Sequence, residues 1–406
     1  MVDATGTFDR LWSELEPIGR HPGSGGYRRF AWTAADAELR EWFAAAAVER
    51  GLDLTLDRAG NQWAWWGDPD AAVSAGDPGV VLGSHLDSVP DGGAFDGPLG
   101  VVSAFAAIDA LRSKGFRPAR PIGVVNFGDE EGARFGIACA GSRIITGALD
   151  PSRARGLTDS DGRRMGEAMS AAGWDPDRLG PDAPTLRRVG AFIELHVEQG
   201  RGLVDLDHPV AIGSEIWPHG RWRFDLAGKA NHAGTTALAD RQDPMLHLAA
   251  TVLQIRDLAE RHGVLATCGK VQVAPNGVNA IASHVTGWLD ARGQRAGAVT
   301  ALAAELADFV AQRGGELTRE SWTDSTQFAP ELADSLAGAL GDVPRLATGA
   351  GHDAGILANA GVPTAMLFVR NPTGISHSPD EHADTADCLQ GVLALTRVAE
   401  LLAGAR

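Results

Sequence analysis

The sequence predicts an α/β protein of two domains, the smaller inserted into the larger, and three observations carry that prediction. The chain has 406 residues, more than a single core usually organises. Helix-like and strand-like segments alternate through residues 1–211 and again through 329–406. Between 212 and 328 the order changes to strand, helix, two strands, helix and strand, the βαββαβ order of a ferredoxin-like split-βαβ unit with one helical face.

The elements follow from local pattern. Ala34 to Arg50 has helical composition and stops at Gly51, and Leu52 to Trp66 reads as a hairpin around Ala59-Gly60-Asn61. The apolar run Gly79-Val80-Val81-Leu82 is a buried parallel strand ending at His85, followed by a helix from Gly100 to Lys114 that stops at Gly115. Pro121 to Phe127 and Gly190 to Leu195 are the next strands. In the insert, strands over Arg221–Leu226, Gly269–Val273, Val285–Ala291 and Leu317–Trp322 alternate with helices over Asp243–His262 and Ala296–Arg313. Helices near Glu331–Gly341 and Cys388–Ala403 and the strand Thr364–Val369 complete the first domain. No repeat of 20 to 50 residues interrupts this order.

Composition narrows the function. Hydrophobic residues at 44% and charged residues at 22% are ordinary for a globular protein, and no segment reaches the length of a membrane span. The first residues, Met1 to Thr5, lack the basic and apolar regions of a secretion signal, so a cytoplasmic location is expected. A net charge of -16 opposes phosphate neutralisation and argues against nucleic acid, leaving small molecules as the expected partners. Cys139, Cys268 and Cys388 form no CxxC pair and read as small buried hydrophobes. The eleven tryptophans, Trp63, Trp65 and Trp66 among them, read as core and interface packing.

Acid and imidazole concentrate after the predicted strands. His85 closes one of them, Asp87 returns to the same side by the period of two, and Asp96 follows on a Gly-rich loop. Alone, His-x-Asp after a strand describes a satisfied core histidine better than a ligand. After Phe127 come Asp129, Glu130 and Glu131; such a run is either a solvated acidic turn or a pair of glutamates dividing metal binding from proton transfer. Glu194-Leu195-His196-Val197-Glu198-Gln199 places Glu194, His196 and Glu198 on one side, with His196 the ligand candidate. A polar loop, Ser376-His377-Ser378-Pro379-Asp380-Glu381-His382, adds two more histidines. Four such sites together fit the imidazole and carboxylate preference of Zn²⁺, or of Mn²⁺ and Co²⁺, and outweigh the separate bland readings.

These motifs, in this order from His85 to His382, resemble the di-metal amidohydrolases of the aminoacylase and carboxypeptidase G superfamily. Within it the likeness is to the branch of N-carbamoyl-L-amino-acid hydrolase, allantoate amidohydrolase and β-ureidopropionase. An acidic residue stands at the position of His196 in the exopeptidase branches, so Glu-Leu-His-Val-Glu-Gln selects the ureido-cleaving one. The resemblance implies a di-metal aminopeptidase-like catalytic domain with an inserted lid and dimerisation domain, a homodimer, and two divalent ions per subunit. It implies His85 and His196 on one ion, Glu131 and His382 on the other, and Asp96 between them. Glu130 becomes the general base and Asp87 the partner of His85.

The resemblance extends to Gly228-Lys229-Ala230-Asn231-His232, where His232 would stabilise an oxyanion in the partner subunit's site. Asn279 and Arg292 match the family's substrate-binding asparagine and arginine, Arg292 suiting a bidentate carboxylate clamp. His352, in Gly349-Ala350-Gly351-His352-Asp353, would contact substrate, and Gln199 is a further candidate for its polar end. Ala94 and Pro98-Leu99 depart from the residues usual around Asp96, which bears on loop stiffness and pocket shape. The implied reaction is hydrolysis of an N-carbamoyl-L-amino acid to amino acid, ammonia and carbon dioxide. Allantoate and β-ureido acids are the nearest alternatives; an aminoacylase or dipeptidase and a non-catalytic metal-binding scaffold are more distant ones.

Overall fold

The structure, a computed structural model, describes residues 4–341 and 343–405. The ends of the expected catalytic domain, residues 1–3 and 406, lie outside the described residues, as does 342. The chain divides into two compact units, Met1–Ser214 with Gln327–Arg406, and Glu215–Thr326.

The first unit is built on a nine-stranded mixed sheet. Its centre is four mutually parallel strands, Ile122–Phe127, Gly79–His85, Val189–Val197 and Thr364–Val369, side by side in that order. Each is apolar and buried almost throughout, as expected when helices cover both faces of a parallel sheet. Antiparallel pairing closes the flanks, through the Asp53–Leu56 and Gln62–Trp66 hairpin on one side and Val210–Ile216 on the other, with Thr326–Gln327 and Arg345–Thr348 paired to Val210–Ile216.

One face is covered by the helices Pro98–Ser113 and Thr385–Ala403, with Ala4–Leu15 packed on them and Ala34–Glu49 against the hairpin strands; Phe105, Ile108, Val392 and Leu395 meet Val80, Leu82, Val124 and Ile193 in a single core. On the other face Phe127 stands edge-on to Trp63 and to Phe192, and Trp63 stacks parallel to Trp65. The hairpin turn is organised by Asp57, whose carboxylate accepts from the Ala59 and Asn61 amides, the Asn61 side chain and Trp63 Nε1. Asn61 Oδ1 in turn accepts from the Gly128 amide at 2.9 Å, tying the hairpin to the loop that follows Phe127.

The register sets the site. His85 lies opposite Phe127, and Phe368 opposite His196, so the carboxyl ends of all four parallel strands open on one edge. The strand read from sequence as ending at Leu195 continues through Val197, which carries His196 within it.

The second unit is a four-stranded antiparallel sheet in the order Glu316–Thr323, His219–Ala227, His284–Arg292, Leu265–Ala274, with helices Pro244–His262 and Ala296–Ala311. Alternation in His219–Ala227 sends Trp222, Phe224 and Leu226 into one core with Ile255, Leu258, Leu302 and Leu306. Asp243 caps the first of these helices by accepting from the Met245 amide, Pro244 takes its first position, and Gly263, in the left-handed region at φ 63°, ends it. Leu265–Ala274 begins four residues before the strand expected from sequence. That stretch is solvated on an edge and shows no apolar alternation. No helix among the described residues is long and apolar enough to cross a membrane.

Candidate metal centre

His85 is fully buried at its strand end. Its Nδ1 lies 3.1 Å from the Asp87 carbonyl, which can only accept, so Nδ1 carries the proton and Nε2 presents a lone pair. His196 repeats the arrangement, with Nδ1 2.9 Å from the Val197 carbonyl. Both Nε2 atoms are buried without a hydrogen-bond partner, and both face Asp96 Oδ1, at 3.6 Å and 3.1 Å. Two imidazole nitrogens and a carboxylate oxygen converging in a buried site call for positive charge between them, which a divalent ion could supply. Burial alone would push the His85 imidazole down; the surrounding carboxylates, Glu130 first, outweigh it and hold it well above the ordinary value, another expression of the same demand for positive charge.

Asp96 serves two groups. Oδ1 faces His85 and His196, while Oδ2 lies 3.4 Å from His377 Nε2, which is itself 3.5 Å from Glu131 Oε2. Among the described residues, His85–Asp96–His196 and Asp96–Glu131–His377 are groups whose ligand atoms lie within 4.8 Å of one another, and each could hold a divalent ion. Burial, then Asp96, pushes the Glu131 carboxyl up to about 7, and the hydrogen bond to Asp96 pushes His377 up to about 9. A third group, Glu194–His196–His352, also meets that spacing. Both Glu194 oxygens are already engaged, by Ser84 Oγ at 2.7 Å and the Ala354 amide at 2.9 Å, so Glu194 serves as an anchor.

His382 does not join these groups. Its Nε2 turns to Asp384 Oδ1 at 3.1 Å, its ring stands against Phe95, and it is exposed. The histidine that does approach Asp96 and Glu131 is His377, five residues earlier in the same loop, where the backbone takes a left-handed turn at φ 55°. Spacing within the loop offered both histidines and could not choose between them.

One further expectation is modified. The Asp87 carboxylate, 3.6 Å from His85 Nδ1, is not its nearest partner; its oxygens accept from the Glu130 and Glu131 amides at 3.0 and 3.1 Å and so hold the acidic loop in place. Glu198 lies outside the cluster, and its Oε2 accepts from the Leu203 amide at 2.9 Å. Gly97, φ 85°, lets the loop return over the metal face, where a Cβ would overlap the His85 ring.

Glu130 sits beside the cluster without belonging to either group. Its Oε2 is 3.7 Å from His85 Nε2 and its Oε1 accepts from the Cys139 thiol at 3.2 Å, while burial pushes its carboxyl well above the ordinary range. A raised carboxyl is suited to receiving and returning a proton near neutral pH. Sequence reasoning had no signal for Cys139, Ser376 or Glu381, which support these groups through a contact across a turn, Cys139 to Glu130, and through contacts of Ser376 and Glu381 with the distant Asp96 loop.

Gln199 Nε2 donates to Asp96 Oδ2 at 2.8 Å, which leaves Oε1 buried and without a partner. His352 packs its ring 4.5 Å from that of His196, and its Nε2 is likewise unpartnered. Burial, then His196, pushes the His352 imidazole well below its ordinary value, so it is neutral.

In the second unit His232 is exposed and its Nδ1 accepts from the Gly234 amide at 3.0 Å, which leaves Nε2–H as the ring's donor. The Asn279 carbonyl accepts from the Ala233 amide, bringing the two loops together. Arg292 ends its strand with Nε donating to Asp290 Oδ1 at 2.8 Å.

A match to peptidase family M20/M25/M40 runs over residues 81–401. The chain belongs to that family. It is 37% identical to an N-carbamoyl-L-amino acid amidohydrolase of Geobacillus stearothermophilus, covering 94% of this chain and 95% of that one. It is 30% identical to the allantoate amidohydrolase of Escherichia coli K12, covering 94% of each. Among solved structures, an amidase of the hydantoinase/carbamoylase family from Burkholderia vietnamiensis superposes with a TM-score of 0.90 at 29% identity, over 99% of this chain and 98% of that one.

Proposed function

We propose that this family member is a metal-dependent amidohydrolase that cleaves the ureido C–N bond of an N-carbamoyl-L-amino acid. The observation that carries the reading is the pair of ligand groups sharing Asp96 with a buried, raised carboxyl, Glu130, beside them. The amidohydrolase relatives supply the substrate class.

In this reading His85, His196 and Asp96 hold one divalent ion, and Asp96, Glu131 and His377 a second, Zn²⁺ or Mn²⁺ and Co²⁺ by donor type. Bound there, such ions supply Lewis acidity that activates water and polarises a carbonyl. Glu130 takes the proton of the attacking water as the bond to the carbamoyl carbon forms, then returns it to the leaving nitrogen as the C–N bond breaks. The carbamate released decomposes to ammonia and carbon dioxide, so one water is consumed overall. Gln199 Oε1 and His352 Nε2, buried and unpartnered, receive polar groups of the substrate. His232 Nε2–H stabilises the developing oxyanion, and Arg292 and Asn279 fix the carboxylate.

That division of labour calls for two copies of the chain. Arg292 lies at one end of its strand, opposite His219, whereas the loops carrying His232 and Asn279 leave from the other end, at Ala227, Ala274 and His284. Eight residue steps, about 26 Å, separate those ends, far more than the length of an N-carbamoyl amino acid. A homodimer in which one chain's His232 serves the other's site resolves the separation. The second unit offers a surface for it: Leu265–Ala274 is an edge strand, and helix Pro244–His262 exposes Leu246 and Leu253 one above the other.

The same chemistry on allantoate is the second reading, favoured by the 30% identity to an allantoate amidohydrolase. The direct test of the mechanism is Glu130→Gln. Metal content stays at the wild-type level while turnover falls by about 10²- to 10⁴-fold; undiminished turnover removes Glu130 from the reaction.

A further inference from the structure

Glu381 is a buried carboxylate that the mechanism does not use. Its Oε1 accepts from two consecutive amides of the metal loop, Phe95 N and Asp96 N, both at 2.9 Å. Its Oε2 lies 2.9 Å from Ser376 Oγ, and that hydroxyl stands 3.1 Å from Asp96 Oδ2. The contacts join segments some 285 residues apart in sequence. One is the loop of Asp96; the other carries His377 immediately after Ser376.

The packing is independent of the hydrogen bonds and agrees with them. A Cβ on Gly93 would overlap the Glu381 side chain, so the metal loop passes over Glu381 with only a glycine's clearance. Two backbone donors and one hydroxyl fix both Glu381 oxygens, which makes the side chain a rigid strut rather than a solvated acid. Gln199 Nε2 adds a third hold on Asp96 Oδ2, at 2.8 Å.

We infer that Glu381 is a positioning residue of the metal centre: it staples the Asp96 loop to the Ser376–His377 segment, so that Asp96 and His377 reach the second ion together. The inference rests on the two-ion reading above. Ligand-supporting groups of this kind are worth about 10- to 100-fold in metal affinity. The role is geometric, which predicts a particular rescue. In Glu381→Gln the amide oxygen still accepts from Phe95 and Asp96, and the amide nitrogen donates to Ser376 Oγ, whose own proton is then committed to Asp96. In Glu381→Ala the bonds from Phe95 N, Asp96 N and Ser376 Oγ to residue 381 are lost, and only the Ser376–Asp96 contact still links the two segments.

The test measures bound metal rather than turnover. Wild type, Glu381→Ala, Glu381→Gln and His377→Ala are reconstituted with Zn²⁺ and dialysed against graded chelator; bound ions per chain are counted by elemental analysis, with circular dichroism confirming the fold. The expected result is two ions on wild type, a second ion held within about two-fold as tightly by Glu381→Gln, and about 10- to 100-fold more weakly by Glu381→Ala, approaching His377→Ala. Gly93→Ala, which displaces Glu381 without touching a ligand, weakens it in the same direction. Retention within two-fold in Glu381→Ala, or equal loss in Glu381→Gln and Glu381→Ala, overturns the inference while leaving the two-ion reading intact. A wild type that binds no ion overturns that reading and this inference with it.

Discussion

His85 and His196 each commit one ring nitrogen to a backbone carbonyl and turn the other onto the same oxygen of Asp96. The tautomers are thus set by main-chain atoms, and the demand for a cation follows from geometry rather than from any one residue type. The same logic separates the two histidines of the 376–382 loop. His377→Ala is expected to leave one ion of two, whereas His382→Ala, remote from both groups, keeps both; metal counting on the purified variants decides between them. Much of the candidate centre was legible in the sequence, because His85, Glu131 and His196 stand in or soon after strands whose ends can be read and Asp96 lies on the Gly-rich loop that follows the first of them. His377 was not, since its approach depends on a left-handed turn and on Ser376 reaching Asp96, neither of which a spacing reveals. Glu381 and Cys139 were hidden for the same reason: their partners lie far along the chain or across a turn.

At the scale of elements, the four parallel strands are continuous apolar runs, and their register delivers the ligands to one edge. Such runs are the strongest sequence signal available, which is why the strands ending at His85 and Phe127 could be placed nearly to the residue. The short helices between Ala140 and Arg187 carry no comparable period that the sequence could reveal. In the second unit the βαββαβ order was readable because each helix follows a strand with clear alternation. Its core depends on close backbone approach: Phe224 lies over Gly287 of the neighbouring strand, where a Cβ would overlap the ring. Phe224→Ala is expected to cost about 3–5 kcal/mol, read as a lowered urea midpoint, and Gly287→Ala to destabilise as well by forcing the ring aside. A Gly287→Ala variant as stable as wild type would mean that the ring relocates freely.

At the scale of the molecule, the proposed dimer, in which a second copy completes the site, makes catalysis depend on association. The solvated edge strand and the apolar ridge of Leu246 and Leu253 are features that a monomer would have to protect. Leu253→Asp, on an exposed position, is expected to halve the mass seen by light scattering without changing metal content, and to lower turnover with it. Unchanged mass and turnover in that variant would place the contact elsewhere. The central claim, hydrolysis of a ureido bond at a metal centre, is tested most directly by ammonia release from purified protein supplied with N-carbamoyl-L-amino acids, allantoate and N-acyl amino acids, each with and without chelator. The account predicts ammonia from an N-carbamoyl-L-amino acid, abolished by chelator and restored by Zn²⁺, Mn²⁺ or Co²⁺. Turnover confined to allantoate would move the substrate to the second reading, and turnover of none, or turnover indifferent to chelator, would contradict the account.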